Sequence, residues 1–248
     1  MRSFIFLIIL VSLSAFQTGK TQNAIYLSEG SIEFEKKVHT HARLEKDDMF
    51  DEAIKKTVPK FRTTYHNLFF RGQTTLYKPG RAVPVQGPAG FGGAAAEDNI
   101  VYSLLDKQLY TGQKEIFDQR YLVADSTRKI KWKITTETRM IAGFECRRAN
   151  ALFLDSVYIV AYYTDAILTR GGPESVSGLP GMILGLAIPS EHITWFATKV
   201  TAEPVSDKLL VPPSKGKQVT YRQLLDDLKT GLKDWGDWAK RAIMAAML

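Results

Sequence analysis

Cysteine is nearly missing from this chain: one residue, Cys146, among 248. A single thiol forms no disulfide within the chain and builds no Cys-rich zinc site. Histidine is scarce too, at four residues. There is no Gly-x-Ser-x-Gly elbow and no His-Glu-x-x-His pair. The Gly-Phe-Gly-Gly run at 90–93 is not followed by the Lys-Ser or Lys-Thr of a phosphate loop. Asp47 and Asp48 are adjacent acids, but they read as helix-start charges rather than as an acid and a base. With no catalytic constellation, the expectation is a protein that is not an enzyme. Large charge of one sign is also lacking. Lys and Arg number 33 against 26 acids, and the two signs are interleaved, as in Glu33, Glu35, Lys36 and Lys37. Nucleic-acid binders cluster positive charge on one face, so no nucleic-acid partner is expected. Apolar residues make up 45% and charged ones 24%, which excludes a disordered chain, a collagen and a polytopic membrane protein.

Long hydrophobic runs are confined to the first residues. Arg2 is followed by an apolar stretch at 4–16, FIFLIILVSLSAF. A bilayer span needs about 20 apolar residues; this shorter run has the length of a signal-peptide core. Residues 1–24 are therefore expected to be a signal peptide, and the mature chain to be exported, periplasmic or secreted, with no transmembrane span. Loss of Arg2 and Lys20 lowers the formal charge from +7 to +5.

Beyond residue 24 the chain reads as β-rich. Residues 30–41 alternate, with Ile32, Phe34 and Val38 on one face and Lys36 as the exception there. Glu33, Glu35, Lys37, His39 and His41 take the other face. Residues 48–58 predict a short helix that Asp48 caps and Pro59 stops. Residues 61–77 fit one long strand or a hairpin about Arg71-Gly72. The stretch 79–99, with three prolines and five glycines, reads as a mobile loop. In 129–136, Ile130, Trp132 and Ile134 alternate with Lys129, Lys131 and Lys133, the clearest strand pattern. Strands are also expected at 144–154, 156–163 and 192–200. Residues 182–188 are apolar on both faces and predict a central, doubly covered strand. Short turns favour antiparallel pairing. After a linker at 203–216, a helix starts at Thr220, where Thr220 and Gln223 have capping-box spacing. Its apolar stripe is Leu224, Leu225, Leu228, Leu232, Trp235 and Trp238. The expected layout is a signal peptide (1–24), a β-rich domain (25–205), and a linker with a C-terminal amphipathic helix (206–248).

One hexapeptide stands out: Gly178, Leu179, Pro180, Gly181, Met182, Ile183. Pro180 presets φ for the second position of a turn, and Gly181 is expected to supply the positive φ of a type II turn. That corner would launch the strand from Met182. Gly171-Gly172-Pro173 forms a second break, and 174–177 between them is expected to be short and exposed. In this hexapeptide the chain resembles the secreted bacterial GLPGLI family, with Met182 in place of a leucine. The likeness extends through Trp132, then through the 141–149 segment containing Gly143 and Cys146, with Arg148 where lysine is usual. Ala161-Tyr162-Tyr163-Thr164 and Gly172-Pro173 come next, in the family's order. The resemblance implies a small exported protein without an established activity. It also implies a curved antiparallel sheet, or half-barrel, with helices on its concave side.

Two further chemistries are open. His39 and His41, one residue apart on a strand, would both leave the same face, a two-ligand arrangement for a metal. Glu33 and Glu35 share that face, His66, His192 or Cys146 would add ligands, and imidazole suits zinc and copper. Alternatively Phe69, Phe70, Trp132, Trp195 and Phe196 would line a cleft for an apolar or lipid-like ligand. Cys146 itself is expected to be buried in a strand. The leading expectation is a binding or accessory module for a ligand or an envelope protein.

Overall fold

In a computed structural model of the chain, the described residues are 26–44, 49–84 and 96–248. The expected signal peptide, the expected Asp48 cap and residues 85–95 of the expected 79–99 loop therefore lie outside the described residues. Among those described, twelve strands form one open, bowed sheet. They are β1 (Glu29–His39), β2 (Phe61–Arg71), β3 (Thr74–Pro79), β4 (Ile100–Leu104), β5 (Leu109–Ile116), β6 (Gln119–Ser126), β7 (Lys133–Ile141), β8 (Phe144–Phe153), β9 (Val157–Thr164), β10 (Met182–Ile188), β11 (Ile193–Thr201) and β12 (Lys217–Val219). Their order across the sheet is β12-β6-β5-β4-β3-β2-β1-β11-β10-β9-β8-β7. Two meanders, β2 to β6 and β7 to β11, are joined by β1, which pairs with β2 on one side and β11 on the other. Every pairing is antiparallel except that of β12, which lies parallel to β6. The architecture is the mainly β, antiparallel sheet that the pattern predicts, curved as the resemblance implies, with a short helix after the first strand and helical structure at the C-terminal end.

Alternation sets the faces. On β1, Ile32, Phe34, Lys36 and Val38 are buried. β10 is buried at every position but Ala187, as its apolar run requires. Helix α1 (Met49–Thr57) ends before Pro59, and Val58 behind it is buried. The β2–β3 hairpin turns at Gly72, whose φ of 56° is left-handed. The inner face of the sheet is filled rather than hollow. Residues 166–181 cross it, tied by Thr169 Oγ1 donating to Gly72 O at 2.6 Å and Ile183 N donating to Gly171 O at 2.8 Å. Helices α2 (Tyr221–Gly231) and α3 (Gly236–Met247) pack beside them against β5, β6 and β12. On the outer face, the 203–216 segment covers a smaller core of Leu76, Val205 and Leu210, against which Phe69 packs.

Several details depart from the sequence reading. β1 stops at His39, and residues 40–43 form a 3₁₀ turn instead of more strand. β7 begins at Lys133, not at 129; Ile130 and Trp132 precede it, and the strand is a largely exposed edge of the sheet. The C-terminal helix is two helices. The capping box at Thr220 forms as expected, with Thr220 N donating to Gln223 Oε1 at 2.8 Å and Gln223 N donating to Thr220 Oγ1 at 3.2 Å. The helix then ends near Leu232, and Gly236 has a φ of 55° where the next begins. The buried stripe stops with it: Leu224, Leu228 and Leu232 are in the core, whereas Trp235 and Trp238 are 49% and 62% exposed.

Candidate functional site

The hexapeptide does feed β10, but its corner works differently from the expected turn. Gly181 has no positive φ; the left-handed glycine is Gly178, at 96°. Gly181 is needed for close approach instead, since a Cβ there would sit 2.0 Å from Thr164 O on β9. Leu179, Met182 and Ile183 are buried, and Gly178 and Pro180 are exposed. A Cβ on Gly172 would meet Ile183 Cβ and Val176 O at 2.8 Å, and Pro173 beside it is buried. Gly143, with φ 86°, and Ala142, with φ 48°, turn the β7–β8 hairpin. Two left-handed residues match the twist of an antiparallel pair. Trp132 leans back onto this region, its Nε1 donating to Ser177 O at 3.0 Å. Cys146 is buried in β8, and burial pushes its thiol up to about 12, so it is not a thiolate.

Residues 174–177, expected to be exposed, are buried at the centre of the molecule. The reason is chemical: Glu174 answers Lys36, the exception on the apolar face of β1. Lys36 Nζ lies 3.4 Å from Glu174 Oε1. Asn99 Nδ2 donates to Glu174 Oε2 at 2.9 Å, and the Tyr77 hydroxyl stands 3.5 Å from Oε1. Glu174 is held in the left-handed region, at φ 54°. That costs a non-glycine residue about 1–3 kcal/mol and persists because the carboxylate is anchored by Lys36 on β1, Tyr77 on β3 and Asn99 just before β4. Burial raises the Glu174 carboxyl, but Lys36, Lys114, His66 and the Asn99 amide outweigh it and hold it below the usual carboxylate range. The His66 ring stacks on Tyr77 at 5.0 Å, and its Nε2 lies 3.2 Å from Glu97 O. Burial lowers the His66 pKa despite the opposing pull of Glu174. Lys36 also stands 5.1 Å over the Trp195 ring. This sealed cluster was foreshadowed only by the lone lysine on the apolar face of β1.

The histidine pair does not converge. His39 Nδ1 accepts from Ala42 N at 2.9 Å and caps the 3₁₀ turn. His41 Nε2 lies 3.0 Å from Val58 O. Both rings are thus used locally, because the strand ends between them and the two-residue alternation that would align them is lost. His192 approaches His39 with ring centroids 6.3 Å apart, while His66 is in the interior cluster. Among the described residues, no three or more His, Cys, Asp or Glu side chains gather as a metal-binding group. The five aromatics do not line one cleft either. Phe70 and Trp195 are in the main core, with Trp132 and Phe196 packed against it, whereas Phe69 faces the outer cluster. Adjacent strand residues point to opposite faces, which separates Phe69 from Phe70.

An open groove of about 560 Å³ lies between the β5–β6 hairpin and the corner joining α2 to α3. Ile116, Leu228 and Leu232 line its apolar part, Phe117, Tyr121 and Trp235 supply rings, and Asp118 a carboxylate. The Phe117 and Trp235 ring centroids are 5.0 Å apart, and the two residues are 48% and 49% exposed.

The fold has relatives among solved structures. A structure of PNGF-II in space group C2 is similar with a TM-score of 0.52 and 13% sequence identity, covering 80% of this chain and 32% of that one. A second PNGF-II structure, in P21, gives a TM-score of 0.50 at 13% identity, with 80% and 33% coverage. The chain therefore spans about a third of these structures, and the likeness is one of fold. No family model and no curated protein matches the chain.

Proposed function

We propose that this chain is an exported cell-envelope protein of the GLPGLI kind, a non-enzymatic binding or accessory module that docks a segment of another envelope protein. The observation that carries the docking is the groove beside Trp235. Phe117 and Trp235 are half exposed there, whereas large aromatic side chains are mostly buried on average, and aromatic anchors over an apolar floor are the usual centre of a protein interface. An apolar side chain from the partner would insert between Phe117 and Trp235, displacing water from both rings. The interior supports a non-catalytic reading. Glu174 and Lys36 are both buried and paired with each other, so their charged atoms serve cohesion of the sheet and its covering segment. The leader-like residues 1–24 support export.

The test uses the full chain in its native host or a Gram-negative one. Cell fractionation should find a shortened protein outside the cytoplasm; retention of the full-length chain in the cytoplasm would refute export. A photo-crosslinking amino acid at position 117 should give one adduct of defined mass, lost when Trp235→Asp is introduced. Absence of an adduct at 117, or an adduct indifferent to Trp235→Asp, would refute docking in this groove.

A further inference from the structure

The interior of the sheet holds more positive charge than Glu174 can answer. Glu174 is already engaged by Lys36, Asn99 and Tyr77. Lys114 is fully buried on β5, and its Nζ has no hydrogen-bond partner. Arg128, part-buried in the segment after β6, packs its guanidinium 4.9 Å from the Phe153 ring and 4.5 Å from the Tyr221 ring. Its Nη2 reaches Met247 O at 3.4 Å, but its buried Nε is unpartnered. Neither cation forms an ion pair among the described residues, and each is near enough to the other for the Arg128 charge to act on Lys114.

Three buried hydroxyls share the region, those of Tyr110, Ser175 and Tyr221; none makes a hydrogen bond of good geometry, and that of Tyr221 faces those of Tyr110 and Ser175. The Tyr110 and Tyr221 rings stack at 5.0 Å. Tyr110 and Lys114 share the buried face of β5 with Gly112 between them, where a Cβ would fall 2.0 Å from the Tyr110 hydroxyl. Ser175 follows Glu174 and donates its backbone N–H to Leu248 O at 2.8 Å, next to the Met247 carbonyl that Arg128 reaches. Five donor groups without a well-aligned acceptor, two of them cationic, thus converge from β5, the 166–181 segment, α2 and the chain after β6. Ordered water can satisfy their hydrogen bonds, but Glu174, which also acts on Lys114, is already paired with Lys36, so positive charge stays in excess around these groups.

We infer that a small anion, a halide or a compact oxyanion such as a carboxylate or phosphate, is bound among Lys114, Arg128, Tyr110, Ser175 and Tyr221. It receives charge-assisted hydrogen bonds from the ammonium and the guanidinium, and its seat joins the two C-terminal helices to the inner face of the sheet. This site is separate from the groove at Trp235 and stands or falls independently of it.

The experiment tracks thermal melting of the full purified chain at fixed pH and ionic strength while chloride, bromide, acetate or phosphate replaces gluconate. Wild-type Tm should rise with at least one of them, by roughly 3–6 °C at tenfold excess over its Kd. Lys114→Met should melt at least as high as wild type in gluconate and should lose the specific rise. That variant also controls for general salting effects, which it retains. Melting that ignores anion identity, or an undiminished rise in Lys114→Met, overturns the site. Should Lys114→Met not fold, crystals of the wild type grown in the stabilising anion decide instead. Density for that anion beside Lys114 and Arg128 supports the inference, and ordered water alone overturns it.

Discussion

Lys36 Nζ lies 3.4 Å from the Glu174 carboxylate, with the two side chains 7% and 1% exposed. The pair pins the segment before the hexapeptide to the strand that joins both halves of the sheet. Breaking one member of a buried pair leaves the other uncompensated, at a cost of about 3–5 kcal/mol. Glu174→Gln should therefore lower unfolding stability by that order in urea titrations. Adding Lys36→Met to it should cost less than the single changes summed, since it removes the orphaned charge. Additive costs would show that the two are energetically independent.

Acid should weaken the fold in two stages. The folded His66 pKa is depressed, chiefly by burial, so its contribution is complete above about pH 6.5, the unfolded value, and declines as acid protonates the unfolded chain in preference. The folded Glu174 pKa is depressed as well; its contribution holds above about pH 4 and is lost as pH falls through the folded value. Denaturant midpoints measured across this range should drop on both limbs, with Glu174→Gln flattening the lower one. Stability that rises below pH 4 would contradict the assignment.

Gly181 and Met182 are neighbours with opposite tolerance. A Cβ at 181 would lie 2.0 Å from Thr164 O, so the chain must shift between β9 and the hexapeptide. Gly181→Ala, and more so Gly181→Val, should cost about 1–3 kcal/mol or more. Met182→Leu conserves volume and should cost less than about 1.5 kcal/mol. Equal melting temperatures for Gly181→Val and Met182→Leu would rule out the close approach.

The C-terminal helices make a contrasting pair. Trp238 is 62% exposed and Leu228 is 5% exposed. Trp238→Ala should change stability by less than about 0.5 kcal/mol, whereas Leu228→Ala should cost about 2–5 kcal/mol. A large loss from Trp238→Ala would mean that this indole is covered in solution.

Much of the sheet was readable from period-two patterning, because strands such as β1 and β10 have faces that burial alone decides. The Thr220 helix start was readable because a capping box is a local hydrogen-bond exchange. What failed depended on distant partners. Residues 174–177 look polar and therefore exposed, yet Glu174 is buried because Lys36, 138 residues away, needs a counter-charge. The Gly181 requirement also comes from another strand, through Thr164 O, rather than from the local turn that Pro180-Gly181 suggests. His39 and His41 were aligned on the assumption that the strand continued to 41; the 3₁₀ turn after His39 removes that alignment. Lys114 shares its strand face with Tyr110 and Ile116, the same period-two signal that marks Lys36, whereas Arg128 follows β6 outside any alternating run.

The central place of β1 bears on how the chain reaches its native state. Its pairing with β2 closes early, but its other edge waits for β11, about 165 residues later in sequence, as in the Thr198 to Glu33 contact. Until then a half-finished sheet presents a bare row of backbone donors and acceptors along β1, the kind of margin that recruits a second chain. A protein wired this way gains from an escort that shields the open margin until the second meander arrives.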